Sequence, residues 1–490
     1  MKSPRRSLPV SGVAVVNILL LLPLCALAQF GRGAGEWNTL GADAQRSSWV
    51  RTDAKISVSA IQKGGFGLAW KLKLADPAAQ ANAFSGDTVL LNGYIGYRGF
   101  RSLGYIAGAG GHIYAIDTDL GRLEWQKPLG GISANVARPV SPAFPGTPVP
   151  GRGGPGRGTA AKSGVGTPDD GAVTIKEIAA REAAMAARGG GTPGRGPNLG
   201  PGGPPRRMPN YLHAISADGM FHSMYVSNGE EPEKAVPFLP ANSNPSGLIA
   251  LNDVAYVVMS DTVWALDFES HKVGSWKASG AIAGAAGPAI DPDGTVYVST
   301  ASGDLAALAA KTLAVKSNYA ARAAFTSSPV LFQFHDKTLA AAATKDNRIH
   351  LLDAAALDKP YAPQSIGFAP EALAVWQDPA GTRWILAASP SAITAWKLVE
   401  KDGAPALTAG WTSRDLASPT APLILNGVVF AFARGTGALY AFDGATGKDI
   451  WNSGSTVTAR GPATLSAGGM QVYLATRDGV LYAFGFPIEH

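Results

Sequence analysis

The chain has 490 residues, 46% of them hydrophobic and 16% charged, which is enough to bury a large core, and it holds one cysteine, Cys25. A single thiol excludes intrachain disulfides, thiolate metal clusters and c-type haem attachment. The net charge of +6 sits in two places, +3 on Lys2, Arg5 and Arg6 and +5 on residues 139–209, so the rest is near −2. That balance excludes a basic nucleic-acid-binding face.

Residues 1–28 read as a signal peptide. Lys2, Arg5 and Arg6 form the positive region, the apolar stretch Val13 to Leu27 follows, and Ala26-Leu27-Ala28 offers small residues to a peptidase, leaving Gln29 as the new N-terminus. Asn17 and Pro23 interrupt the apolar stretch, so no membrane span is expected. Leu24 before Cys25 speaks against a lipid-acceptor cysteine, and Pro9 speaks against twin-arginine export through Arg5-Arg6. The expected location is periplasmic or secreted, and the mature chain would carry no thiol.

A short apolar-aromatic-Ala-apolar-Asp pattern then recurs along the chain. Clear copies are Ile113-Tyr114-Ala115-Ile116-Asp117, Val263-Trp264-Ala265-Leu266-Asp267 and Leu439-Tyr440-Ala441-Phe442-Asp443. Degraded copies begin at Leu212, Leu305, Ile349 and Ile393, and Leu481-Tyr482-Ala483-Phe484 is the last. From Leu212 onward the spacings are 51, 42, 44, 44, 46 and 42 residues. A period in the forties with Gly-rich turns is that of a four-stranded propeller blade. Asp117 is followed by Gly121 and Trp125, and Asp443 by Gly447 and Trp451, at the same offsets; Asp267 leads to Trp276. The Asp can tie down a turn, the Gly can take a positive φ, and the Trp can pack on a neighbouring blade. A small residue plus Pro opens each repeat: Asn244-Pro245, Gly287-Pro288, Ser328-Pro329, Ser418-Pro419 and Gly461-Pro462.

The last repeat lacks a Trp-bearing outer strand, and Gly67-Leu68-Ala69-Trp70-Lys71-Leu72 looks like that missing strand. Joining the two ends would close the ring and remove free edges. The expected fold is therefore all-β, an eight-bladed β-propeller with the N-terminal strand closing the last blade; seven blades is the alternative, because the 349–411 region is degraded. Residues 29–138 would supply the closing strand and first blade, and 210–490 the remaining blades of the same domain. Between them, residues 139–209 hold seventeen Gly and thirteen Pro, a composition expected to stay disordered rather than build a core. Inside that insertion, Val173 to Arg188 has helix-forming composition.

The repeat Leu439 to Trp451 (LYAFDGATGKDIW) resembles that of the pyrroloquinoline quinone (PQQ) enzymes, and Gly35 to Asp43 (GEWNTLGAD) resembles the start of quinoprotein alcohol dehydrogenases. The resemblance covers nearly all of 36–487 outside the insertion. It implies PQQ in the axial channel, calcium held by Glu, Asn and Asp, a catalytic Asp, a Trp under the quinone and a disulfide between adjacent cysteines. This chain has no such cysteines and no Asp-rich segment for the base. Outer-membrane assembly lipoproteins of the BamB type share the repeat without binding quinone.

Candidate ligand-binding residues precede the strand-opening prolines and should ring the channel mouth: Arg138, Asn244, Arg322 and Arg460, with Asn135, Asn242 and Ser327 near them. Asn244-Pro245 is placed as the calcium-ligand Asn-Pro of the resembled family is. Arginines converging on an axis suit an anionic ligand. Histidines His112, His213, His222, His271, His335 and His350 show no metal spacing and read as structural. No metal site is expected, no catalytic residue is identified, and no cofactor is specified beyond the PQQ and calcium that the resemblance implies. The functional expectation is an exported binding or protein-assembly module without catalysis, acting as a monomer on other exported proteins or a small anionic ligand. The alternative is a PQQ-dependent dehydrogenase of an alcohol or sugar, and a third reading is a glycan- or polymer-binding accessory.

Overall fold

Strands buried on both faces lose the polar alternation of a surface strand and read as continuous apolar runs. Val428–Ala433 is such a run, with all six residues buried, whereas the outer strand Val273–Lys277 alternates between exposed and half-buried. The computed structural model describes residues 37–74, 84–96, 99–108, 110–130, 136–144 and 211–487. The expected signal peptide and nearly all of the insertion lie outside them. Among the described residues no helix is long and apolar enough to cross a membrane.

The described strands form eight sheets, arranged as the blades of a propeller and antiparallel but for one short parallel pair. In chain order they span 89–128, 211–237, 246–277, 289–320, 330–365, 373–412, 423–452 and 463–485, and are called blades 1 to 8. In each, strands run outward from the axis. The recurrent Tyr/Trp-Ala motif is the third strand in the other blades, with Ala115, Ala265, Ala441 and Ala483 buried in it, whereas the copy beginning at Leu212 is the second strand of blade 2. A small side chain there lets adjacent blades approach. Blade 2 differs: its three strands are flanked on the inside by Ala137, which bridges His213 antiparallel. Its innermost piece thus precedes the insertion, which enters between the first and second strands of this blade.

Ring closure follows the sequence expectation. Gly67–Lys73 pairs antiparallel with Val480–Gly485, with Leu72 opposite Leu481 and Lys71 opposite Tyr482. The N-terminal strand therefore supplies the fourth strand of blade 8.

The repeat tryptophans explain the repeat glycines. Trp70 on the closing strand donates its indole N–H to the Thr118 carbonyl at 2.8 Å, and lies over Gly121 in the turn of blade 1. Trp411 of blade 6 donates to the Gly444 carbonyl at 2.8 Å and lies over Gly447 in blade 7. Gly121 and Gly447 have φ of 64° and 71°, and a Cβ on either would come within 2.5 Å of the indole, so both the turn and the packing require glycine. Trp125 of blade 1 repeats the contact on blade 2, donating to Val226 O at 3.1 Å over Gly229. Trp451 of blade 7 meets no such turn, because blade 8 borrows its outer strand from the other end of the chain. Its ring instead packs edge-on to Phe66, 4.9 Å between centroids, and against Phe484.

Trp125→Ala removes both the indole contact and the hydrogen bond, and is expected to cost about 3 kcal/mol in denaturant unfolding. A change below about 0.5 kcal/mol, typical of an exposed side chain, would contradict this packing.

Candidate functional site: the axis of the ring

Residues 37–50 contain four residues at positive φ, Gly41, Ala42, Arg46 and Ser48, so they cannot run as a regular strand. They wind around the inside of the ring. Carbonyls of this segment accept from the innermost backbone of successive blades: Trp37 from Leu90 N, Asn38 from Arg138 N, Ala44 from Ile290 N, Gln45 from Leu331 N, Ser47 from Val375 N and Ser48 from Ile424 N, all between 2.7 and 3.0 Å. Thr39 Oγ1 donates to Leu248 O at 2.6 Å, which adds blade 3. Trp49 and Val50 finish as a short parallel strand on Ile424 and Leu425. Blades 1 to 7 are thus tied in order to one continuous stretch of chain.

At its centre lies Arg46, 2% exposed. Its Nε donates to Pro288 O at 2.8 Å, Nη1 to Leu40 O at 2.6 Å and Thr39 Oγ1 at 3.0 Å, and Nη2 to Gly247 O at 3.0 Å. Burial pushes its pKa down to about 10 against the nearby charges of Asp43 and Asp87. Asp43 accepts from the backbone N–H groups of Gln45 and Ser47 and from the Ser47 hydroxyl. Asp87 accepts from the Trp37 indole at 2.9 Å.

Desolvation pushes Asp87 up to about 7, only partly opposed by that indole, by Gly41 N and by the charge of Arg46. A carboxyl whose folded pKa is raised stabilises most below its unfolded value, near pH 4, and loses that contribution as pH rises toward 7. The stability of Asp87→Asn relative to wild type should therefore improve between pH 4.5 and pH 8, measured by urea unfolding at both. No change in that difference between the two pH values would mean that Arg46 keeps Asp87 ionised throughout.

Of the four candidate residues, the structure turns Arg138 into the wall and leaves the other three exposed. Arg138 is buried in the inner wall, where its Nη1 donates to Asn38 Oδ1 at 3.0 Å and to Leu90 O at 2.6 Å. It braces the axial segment instead of facing a mouth. Asn244, Arg322 and Arg460 are exposed on the connections entering blades 3, 5 and 8. No hydrogen bond or ion pair joins any two of the four among the described residues.

His213 is buried among Phe221 and Phe268, and desolvation pushes it down to about 3. His222 sits in a chain with the geometry of a hydrolytic triad: Nε2 is 2.8 Å from Ser216 Oγ, and Nδ1 is 3.1 Å from Glu231 Oε1. Three features make it a turn brace. Ser216 is 2% exposed, its hydroxyl also donates to Asp218, and Lys127 of blade 1 binds Glu231 at 2.7 Å. Blade 5 repeats the arrangement with threonine, Thr344 bonding Asp346 at 2.5 Å and His350 Nε2 at 3.1 Å; blade 8 repeats its first half with Thr476 and Asp478. A nucleophile would not be required at the same turn in three blades.

The quinone apparatus implied by the resemblance needs a calcium donor set. Among the described residues no group of three His, Cys, Asp or Glu side chains is placed to hold a metal ion. Asn244 is exposed, and Arg138 is engaged with the chain itself. Arg46, Asp43 and Asp87 carry no repeat signal; Asp43 ends the Gly35–Asp43 opening and Arg46 follows it, whereas nothing in the sequence points to Asp87.

Comparison with known proteins agrees with this architecture. A family model described as "Outer membrane protein assembly factor BamB" matches residues 397–485. A quinohemoprotein alcohol dehydrogenase from Pseudomonas putida HK5 aligns with a TM-score of 0.58 at 12% identity, over 94% of this chain and 82% of its own. A europium-containing methanol dehydrogenase aligns with a TM-score of 0.55 at 12% identity, over 92% and 98%. BamB from Moraxella catarrhalis aligns with a TM-score of 0.53 at 12% identity, over 86% and 100%. At these identities the likeness is one of fold. Comparison with curated protein sequences finds no match.

Proposed function

We propose that this chain, whose fold and repeat are similar to those of the PQQ-like β-propellers, is an exported, non-catalytic binding module that assists assembly of other exported proteins in the periplasm. The observation supporting this reading is the axis. Arg46 and Arg138, the buried arginines of the inner wall, hold the chain's own segment 37–50 in place. The surfaces left for partners are the blade connections that carry Asn244, Arg322 and Arg460, where a small anionic ligand or an acidic partner surface would bind.

The second reading, a quinoprotein dehydrogenase acting on an alcohol or sugar, is favoured by the structural neighbours of that class. One titration separates them. The purified chain is mixed with PQQ and Ca²⁺ while absorbance and Tm are followed. The module reading expects no saturable change. A cofactor at 100 times its Kd would add about 2.7 kcal/mol, and a corresponding rise in Tm would favour the dehydrogenase. In the producing cell, loss of the gene should lower the amount of folded outer-membrane β-barrels, and a full-length copy should restore it while a copy lacking 1–28 should not. Unchanged β-barrel levels would remove the assembly role.

A further inference from the structure

Each blade strand that starts at an inter-blade connection ends, at the other face of the ring, in the turn between first and second strands. On that second face, a half-buried arginine sits in blade 6 with no acid partner among the described residues. Arg383 begins the strand Arg383–Ala388. Its guanidinium carbon lies 5.9 Å from the Trp49 ring centroid and 6.0 Å from that of Phe332 in blade 5. The Arg51 guanidinium carbon lies 5.8 Å from the same Trp49 ring. One indole at the end of the axial segment therefore carries two cations.

We propose that this end of the axis is an oxyanion-binding site, in which Arg383 and Arg51 grip a carboxylate or phosphate group over Trp49. Four observations carry it. No carboxylate is within ion-pair distance of Arg383 among the described residues, and its hydrogen bond from Nη2 to Gln377 Oε1 is long, at 3.4 Å. Its Nε is buried with no acceptor. The Nε1 of Trp49, a residue 7% exposed, is buried with no acceptor as well. Asp378, the carboxylate in the adjoining turn, is already taken up by Trp384 Nε1 at 2.9 Å and Thr382 N at 2.8 Å.

A cation held out of water beside a like charge is destabilising unless an anion completes it. Desolvation and the neighbouring Arg51 together push Arg383 down to about 10, as expected for such a group. The guanidinium fork matches the paired oxygens of a carboxylate or phosphate, and the indole beneath limits competing water. The proposal does not depend on the assembly reading, since it concerns the opposite face from Asn244, Arg322 and Arg460.

The test uses the full chain at low ionic strength, with tryptophan fluorescence and Tm followed during titration with sodium phosphate, with sodium citrate, and with sodium chloride at matched ionic strength. The expected result is a saturable signal with phosphate or citrate and none with chloride; which of the two saturates distinguishes phosphate from carboxylate recognition. Arg383→Gln should weaken that binding by about 10- to 100-fold, the range for loss of a charged hydrogen bond. Exposed Arg51→Gln should weaken it several-fold without disturbing the fold. In chloride alone, Arg383→Met should melt at or above the wild-type temperature, because it removes an uncompensated cation. A purely packing role predicts the reverse, a lowered Tm with phosphate and citrate indistinguishable from chloride. That result, or equal binding by Arg383→Gln, Arg51→Gln and wild type, would overturn the site.

Discussion

Arg46→Met is expected to lower global stability by about 4 kcal/mol in guanidinium unfolding, the range for removing one member of a buried charge network. Methionine fills much of the volume but leaves the carbonyls of Pro288, Leu40 and Gly247 buried without their donor. It also leaves Asp43 and Asp87 without the cation that their buried carboxyls face. Arg46→Lys should recover little, because one ammonium cannot reach blades 3 and 4 and the Leu40 carbonyl together. A loss below about 1 kcal/mol would show that the axial segment is not a structural hub. The ring would then be held by blade-to-blade contacts alone.

Removal of the closing strand should have an even larger effect. Without Gly67–Lys73, blade 8 loses its outer strand, the Trp70 contact on blade 1 and the pairing along Val480–Gly485. The expected loss is roughly 5 kcal/mol or more, comparable with the whole stability of an ordinary domain, accompanied by aggregation through the exposed edge. The matching control is deletion of 145–210 with a short linker, which should shift Tm little. Deletion from residue 139 is not an equivalent control. Val140 and Phe144 are buried, and Val140 N donates to Ala250 O at 2.9 Å, so that cut would remove part of the wall between blades 2 and 3. If removal of the closing strand and removal of 145–210 lower Tm equally, the closure carries no special weight.

The sequence by itself determined the blade. An apolar third strand with a fixed alanine, an Asp-led turn, a glycine at a set offset and a tryptophan beyond it are local requirements of strand pairing and turn geometry, so they recur wherever the local structure recurs. It also determined the closure, because a final repeat without its outer strand and an orphan strand near Trp70 are complementary gaps in one pattern. The partners of these residues could not be read the same way. Trp125 meets Gly229 some hundred residues away, and only the ring sets that distance. The axial site was decided by tertiary structure alone. Arg46 and Asp87 have no periodic neighbours, and Arg138 looked like a ligand-facing arginine because its position before a proline is the one that repeats. Its side chain turned inward because the Asn38 side-chain oxygen and the Leu90 carbonyl needed a donor, a demand created by the segment wound through the centre. Arg383 gave no sequence signal at all. Its environment is assembled from blade 5, blade 6 and the end of the axial segment, three stretches far apart in the chain and adjacent only once the ring has closed.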